Sequence, residues 1–145
     1  MADHDRYDDA YLADVLKSVE TIALVGASAK PERPSHGVMA FLQSKGYRVI
    51  PVNPGLAGQD LLGETVYGAL ADVPGPFQMV DVFRNSEAAG PVTDEAIRLK
   101  NDKGITTVWM QIDVRNDDAA ARAEDAGLRV VMNRCPKQEI PRLGL

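Results

Sequence analysis

Ser28, Lys30, Arg33 and Ser35 fall close together, directly after Gly26-Ala27. Their types suit one task, the holding of an anion. Hydroxyls and backbone amides donate hydrogen bonds to phosphate oxygens, and the two cations balance charge. The apolar run Ile22–Val25 leads into this stretch, and the amphipathic Val38-Met39-Ala40-Phe41-Leu42 follows it. Strand, glycine turn and helix form the usual frame of a phosphate loop. It is not a Walker A loop, for it lacks the closing Gly-Lys-Ser/Thr. Nor is it a dinucleotide fingerprint, because Ser28 stands where a second glycine would let a pyrophosphate approach. The second strand ends Pro51-Val52-Asn53-Pro54, without the carboxylate that NAD-binding folds use for the ribose. An ordinary strand–helix connection would account for the same residues.

Other candidates lie after later apolar runs. Pro51, Val52 and Asn53 make a rigid apolar shelf, or simply a rigid turn. Phe83-Arg84 puts a guanidinium just past a buried strand, where it pairs with phosphate or with a local carboxylate. Trp109 reads as core, with Gln111 turned toward a crevice. Cys135 is the lone cysteine, and such a residue is more often passive than nucleophilic unless a base or positive field lowers its pKa. Arg134 and Lys137 supply some field, but neither histidine has an evident route to it. His36 suits a helix start, and His4 falls in a polar, acidic stretch that reads as disordered. The sequence offers no catalytic dyad or triad, no paired carboxylates in the crevice loops and no metal-ligand set.

These residues need a scaffold, and the spacing predicts one. A helix begins at Asp8, with Tyr11, Leu12, Val15, Leu16 and Val19 on one face. Five apolar runs follow: Ile22–Val25, Val49–Val52, Met79–Phe83, Thr107–Ile112 and Arg129–Met132. They are continuous rather than alternating, as strands buried on both faces of a parallel sheet are. Helices are predicted over 38–45, stopping at Gly46, over 86–103, stopping at Gly104, and from an Asn116 cap to Gly127. Residues 65–67 read as a short extended piece before a brief helix around Leu70. Strand and helix alternate through short connections, so the fold class is a doubly wound α/β sheet of five or six mainly parallel strands, with helices on both faces. In such a sheet ligands sit at the carboxyl ends of the strands, where the strand order reverses.

At 145 residues the chain is read as one domain, residues 1–145, with 1–7 a flexible tail. Its hydrophobic fraction of 45% and charged fraction of 26% are those of a globular protein. A net charge of −5 excludes a general nucleic-acid or anionic-membrane binder, so any anion must be held locally. Neither a signal peptide nor a membrane-spanning run is evident, which points to a cytoplasmic protein.

Taken in order, Val25-Gly26-Ala27-Ser28, Pro31, Ser35, Gly46-Tyr47, Pro51-Val52-Asn53-Pro54, Val82-Phe83-Arg84, Trp109-Met110-Gln111 and Arg134-Cys135 resemble the stand-alone CoA-binding domain family. That family is similar to the CoA-binding Rossmann domain of the succinyl-CoA synthetase alpha subunit. The resemblance covers about residues 15 to 140. It implies a Rossmann-like fold and coenzyme A, or an acyl-CoA, as ligand. Gly26, Ala27, Ser28 and Ser35 would meet its phosphates, with Lys30 and Arg33 near them. Pro51, Val52 and Asn53 would flank adenine and ribose, Phe83 and Arg84 would line the groove, and Gln111 would lie toward the pantetheine. The family usually carries glycine where this chain has Asp113, a change expected at the pantetheine end. The synthetase's later domain and phosphorylated histidine are missing from the sequence, so its activity is not implied. The expected function is a small CoA-binding carrier, sensor or partner module, without evident catalytic machinery. Its rivals are an NAD(H)-binding enzyme or redox sensor on the same fold, and an acyl-CoA enzyme using Cys135.

Overall fold

A computed structural model describes residues 2–145. Five parallel strands form its sheet: β1 (Thr21–Val25), β2 (Arg48–Val52), β5 (Met79–Val82), β6 (Thr107–Met110) and β7 (Arg129–Val131). Their spatial order is β2-β1-β5-β6-β7. A separate antiparallel hairpin joins β3 (Asp60–Leu61) and β4 (Glu64–Thr65). The fold is the expected Rossmann-like α/β class, with five strands and no sixth in the main sheet.

Both faces of the sheet are covered, which is why its strands lack alternation. Alternate residues of each strand serve two separate cores. On one face Ala23, Val25, Val80, Val82, Val108 and Met110 pack against α3 (Ser86–Lys103) and α4 (Asp117–Asp125). On the other, Ile22, Leu24, Met79 and Trp109 pack against α1 (Asp9–Ser18), α2 (Pro34–Ser44) and α5 (Pro136–Arg142). Asn85 and Asn116 cap α3 and α4, accepting from the amides of Ala88 at 2.8 Å and Ala119 at 3.0 Å. Pro51 is tolerated because β2 stands at the sheet's edge.

From β1 the chain passes through α2 to β2 on one side, then returns through residues 53–78 to β5 on the other. The order reverses there, so the ends of β1 and β5 open the crevice that such sheets use for ligands.

Residues 2–7 are a correction to the expected flexible tail. The Ala2 amide donates to Glu124 Oε2 at 3.1 Å, and His4 Nε2 meets Glu124 Oε1 at 3.0 Å. Tyr7 stacks on Tyr11, and Arg134 lies over its ring. The Tyr7 hydroxyl contacts His4 Nδ1 at 2.6 Å and accepts from the Met132 amide at 2.8 Å, just past β7. Burial pushes Tyr7 up to about 12, so it stays protonated. An acidic stretch anchored through two tyrosines carries no hydrophobic period, and composition hides its packing. Tyr7→Phe leaves the Met132 amide without its partner, and is expected to cost about 1–2 kcal/mol. In a thermal melt that is a loss of roughly 3–6 °C, whereas a free tail would leave the melt unmoved.

Candidate functional site

The loop after β1 begins with a constraint. Gly26 has φ +93°, and a Cβ there would stand 2.3 Å from the Phe83 carbonyl oxygen and 3.2 Å from Arg84 Cδ. Only glycine fits both the conformation and the space. The amides of Gly26 and Ala27 both donate to the Val52 carbonyl, at 3.0 and 3.3 Å. Asn53 Nδ2 donates to the Ala27 carbonyl at 2.7 Å, while its Oδ1 accepts from Gly55 at 2.8 Å. The ends of β1, β2 and β5 are therefore tied together by the loops themselves.

This tying leaves donors over. Among the described residues, the amides of Ser28, Ala29 and Ser35 have no hydrogen-bond partner. Ser28 Oγ accepts from the Lys30 amide at 3.1 Å. Ser35 lies in the first turn of α2, and its hydroxyl has no protein partner. These groups line a cleft of about 550 Å³ with Lys30, Arg33, Phe83 and Arg84. Arg84 forms no ion pair among the described residues, and the same holds for Lys30, Arg33 and Lys137. A set of unpaired amides, hydroxyls and cations around one cleft is the donor chemistry that a phosphate requires.

A second cleft of about 840 Å³ adjoins the first, sharing Arg33, Pro34 and Phe83 with it. Its wall includes Val38, Gln111, Ile112, Val114 and Cys135, with Glu32, Asp113 and Lys137 as charged members. Its lining mixes aliphatic, amide and charged side chains. The structure thus gathers Gly26, Ala27, Ser28, Lys30, Arg33, Ser35, Asn53, Phe83 and Arg84 around one cleft and sets Gln111 on the next. Val52 reaches only a narrow recess beside Asn53. Pro51 is buried within β2 and lines none of these clefts, while the Asn53 amide is engaged in holding the loops. His36 lines neither cleft.

Chains of this architecture have known counterparts. A model of the CoA binding domain matches residues 20–141. The chain belongs to the CoA binding domain family. The uncharacterized protein YneT of Bacillus subtilis is 34% identical over 128 residues, spanning 88% of this chain and 90% of its own. A hypothetical protein from Pyrococcus horikoshii superposes with a TM-score of 0.88 at 36% identity, over 100% of this chain and 98% of the other. A Thermus thermophilus protein does so with 0.86 at 36% identity, over 94% and 98%.

Three side chains of this CoA binding domain stand apart: Asp113, Asp81 and Cys135. Asp113 has φ +69° and donates its amide to Asn133 Oδ1 at 2.8 Å, which explains a glycine at this place in the pattern. Asp81 was missed by sequence reasoning, although a carboxylate inside the apolar run Met79–Phe83 was the visible signal. It is fully buried in β5 and accepts from Gln111 Nε2 at 2.7 Å. Cys135 is buried, and desolvation pushes its thiol up despite the amides of Lys137 and Gln138. The arrangement favours the thiol over the thiolate, so it is a poor nucleophile.

Burial pushes the Asp81 carboxyl up to about 7, against the opposing pull of Gln111. A raised native pKa means that its contribution to stability is complete below the unfolded value near ~4. That contribution is lost as pH rises through about 7. Asp81→Asn has nothing to titrate there. Its melting temperature minus that of the unaltered protein should therefore climb by roughly 5–10 °C between pH 5 and pH 8. A constant difference would mean that Asp81 does not titrate in this window.

Proposed function

We propose that the protein binds coenzyme A, with the nucleotide phosphates in the β1 cleft and the pantetheine arm running into the adjoining one. It acts as a carrier, sensor or partner module. The observation that carries this reading is the set of unpartnered donors at the crevice: the Ser28, Ala29 and Ser35 amides with Lys30, Arg33 and Arg84 beside them. A chain of net charge −5 keeps these cations out of ion pairs, although a carboxylate is paired with Arg48, Arg98, Arg115, Arg122, Arg129 and Arg142. The second support is the continuity of the clefts, which share Arg33, Pro34 and Phe83 and so give an extended ligand room for both of its halves.

Coenzyme A, when bound, would supply the thiol on which acyl groups travel, and the chain's own residues would bind and orient it. Ser28 and Ser35 donate to phosphate, Arg84 and Lys30 balance its charge, and Phe83 forms the wall where the two clefts meet. Gln111 belongs to the arm's cleft rather than the phosphate's.

Loss of one charge-assisted contact costs on the order of 1.5–3 kcal/mol, or roughly ten- to a hundredfold in affinity. Arg84→Ala is therefore expected to weaken coenzyme A binding by that factor in calorimetry, with its circular dichroism unchanged. In melts of the unaltered protein, coenzyme A at about a hundred times its dissociation constant should raise the midpoint by roughly 5–10 °C. NADH at equal concentration should give little, since Asn53 offers the ribose no carboxylate. A larger shift with NADH would overturn the reading.

A further inference from the structure

The buried pair Asp81–Gln111 plays no part in holding phosphate. Asp81 stands opposite Leu24 and Trp109 in the sheet register, with no exposed surface. Its Oδ1 accepts from Gln111 Nε2 at 2.7 Å, and its Oδ2 has no partner among the described residues. A half-satisfied carboxyl in a central strand is costly, where an aliphatic side chain would add to the core. Its neighbour points to what it does. Gln111 follows β6 and lines the arm's cleft near Ile112, Val114 and Cys135.

The amide of Gln111 has a donor end and an acceptor end. A carboxylate oxygen can only accept, so Asp81 draws the NH₂ inward and leaves Oε1 on the other side. That Oε1 has no protein partner and is not among the sealed polar atoms of the interior. The cleft therefore meets a carbonyl oxygen, held in place from beneath.

We propose that Asp81 is a positioning residue that turns the Gln111 carbonyl toward the arm's cleft, so that the site prefers the free thiol of coenzyme A to its acyl thioesters. The inference rests on the coenzyme A reading above. A thiol can donate to the carbonyl. A thioester has lost that hydrogen and brings a carbonyl of its own, so two acceptors face each other with water displaced.

The test is calorimetry on the full chain at pH 8, above the point where Asp81 ionises. The probes are coenzyme A, acetyl-CoA and adenosine 3′,5′-bisphosphate, which keeps two of the three phosphates and lacks the arm. The unaltered protein should bind coenzyme A roughly tenfold more tightly than acetyl-CoA. Asp81→Leu, which removes the acceptor, and Gln111→Met should each bring that ratio to about twofold or less, with the bisphosphate affinity unchanged. A purely structural role for Asp81 would weaken all three probes together. Should Asp81→Leu fail to fold, Gln111→Met at the cleft wall makes the same comparison. Equal binding of thiol and thioester by the unaltered protein, or a ratio that survives both substitutions, overturns the inference and leaves coenzyme A binding intact. No binding of coenzyme A or the bisphosphate sinks the underlying reading, and the inference with it.

Discussion

The ends of β1 and β5 pass so closely that residue 26 has no room for a side chain. An added Cβ would lie 2.3 Å from the Phe83 carbonyl oxygen. Much of the crevice follows from that contact. Gly26 lets the chain turn sharply off the sheet, with its amide and that of Ala27 spent on Val52. The next amides, of Ser28 and Ala29, then come free at the strand ends rather than inside a ladder. Asn53 fixes the arrangement by bonding both the Ala27 carbonyl and the Gly55 amide. A backbone constraint thus becomes a set of donors without acceptors, and unsatisfied donors beside unpaired cations are what an anion needs.

Electrostatics works locally against the protein's overall charge. The −5 total would repel a polyanion at long range, and screening limits that repulsion to about 10 Å at ordinary ionic strength. Within the cleft, Lys30, Arg33 and Arg84 dominate because no carboxylate among the described residues neutralises them. Exposed pairs such as Arg115 with Asp5 and Asp117 add little stability, but they tie residues 2–7 to the start of α4. Cations in one region staple the surface, while those at the crevice stay available.

Much of this was legible in the sequence, for identifiable reasons. The five mostly continuous apolar runs suit strands covered on both sides, Asn116 ahead of Asp117-Asp118 suits a cap, and the structure has both. The turn at Gly26 and the start of α2 were legible because a glycine after an apolar run and the residues of a helix start are local signals. What escaped depends on contacts between distant residues. The arm of residues 2–7 is held by Glu124, Met132 and Arg134. The two-residue strands β3 and β4 are too short to show a period. Helix α5 begins at Pro136 and contains Pro141, which reads as a break until the fold packs Ile140 into the core. Asp81 was visible as a carboxylate in an apolar run, but its partner Gln111 is thirty positions away. Asn53, read as a ribose contact, lines the cleft after β1, but its amide is committed to the loops.

In the proposed complex the free amides after β1 receive the phosphates of coenzyme A. A titration followed by two-dimensional ¹H–¹⁵N NMR on the full-length protein tests it most directly, residue by residue. Coenzyme A should shift the Ser28, Ala29 and Ser35 amide protons downfield, as new hydrogen bonds to phosphate do, before and beyond any change at α4 or β7. A saturating titration whose largest shifts fall away from the β1 loop, with those three amides unmoved, would contradict the account.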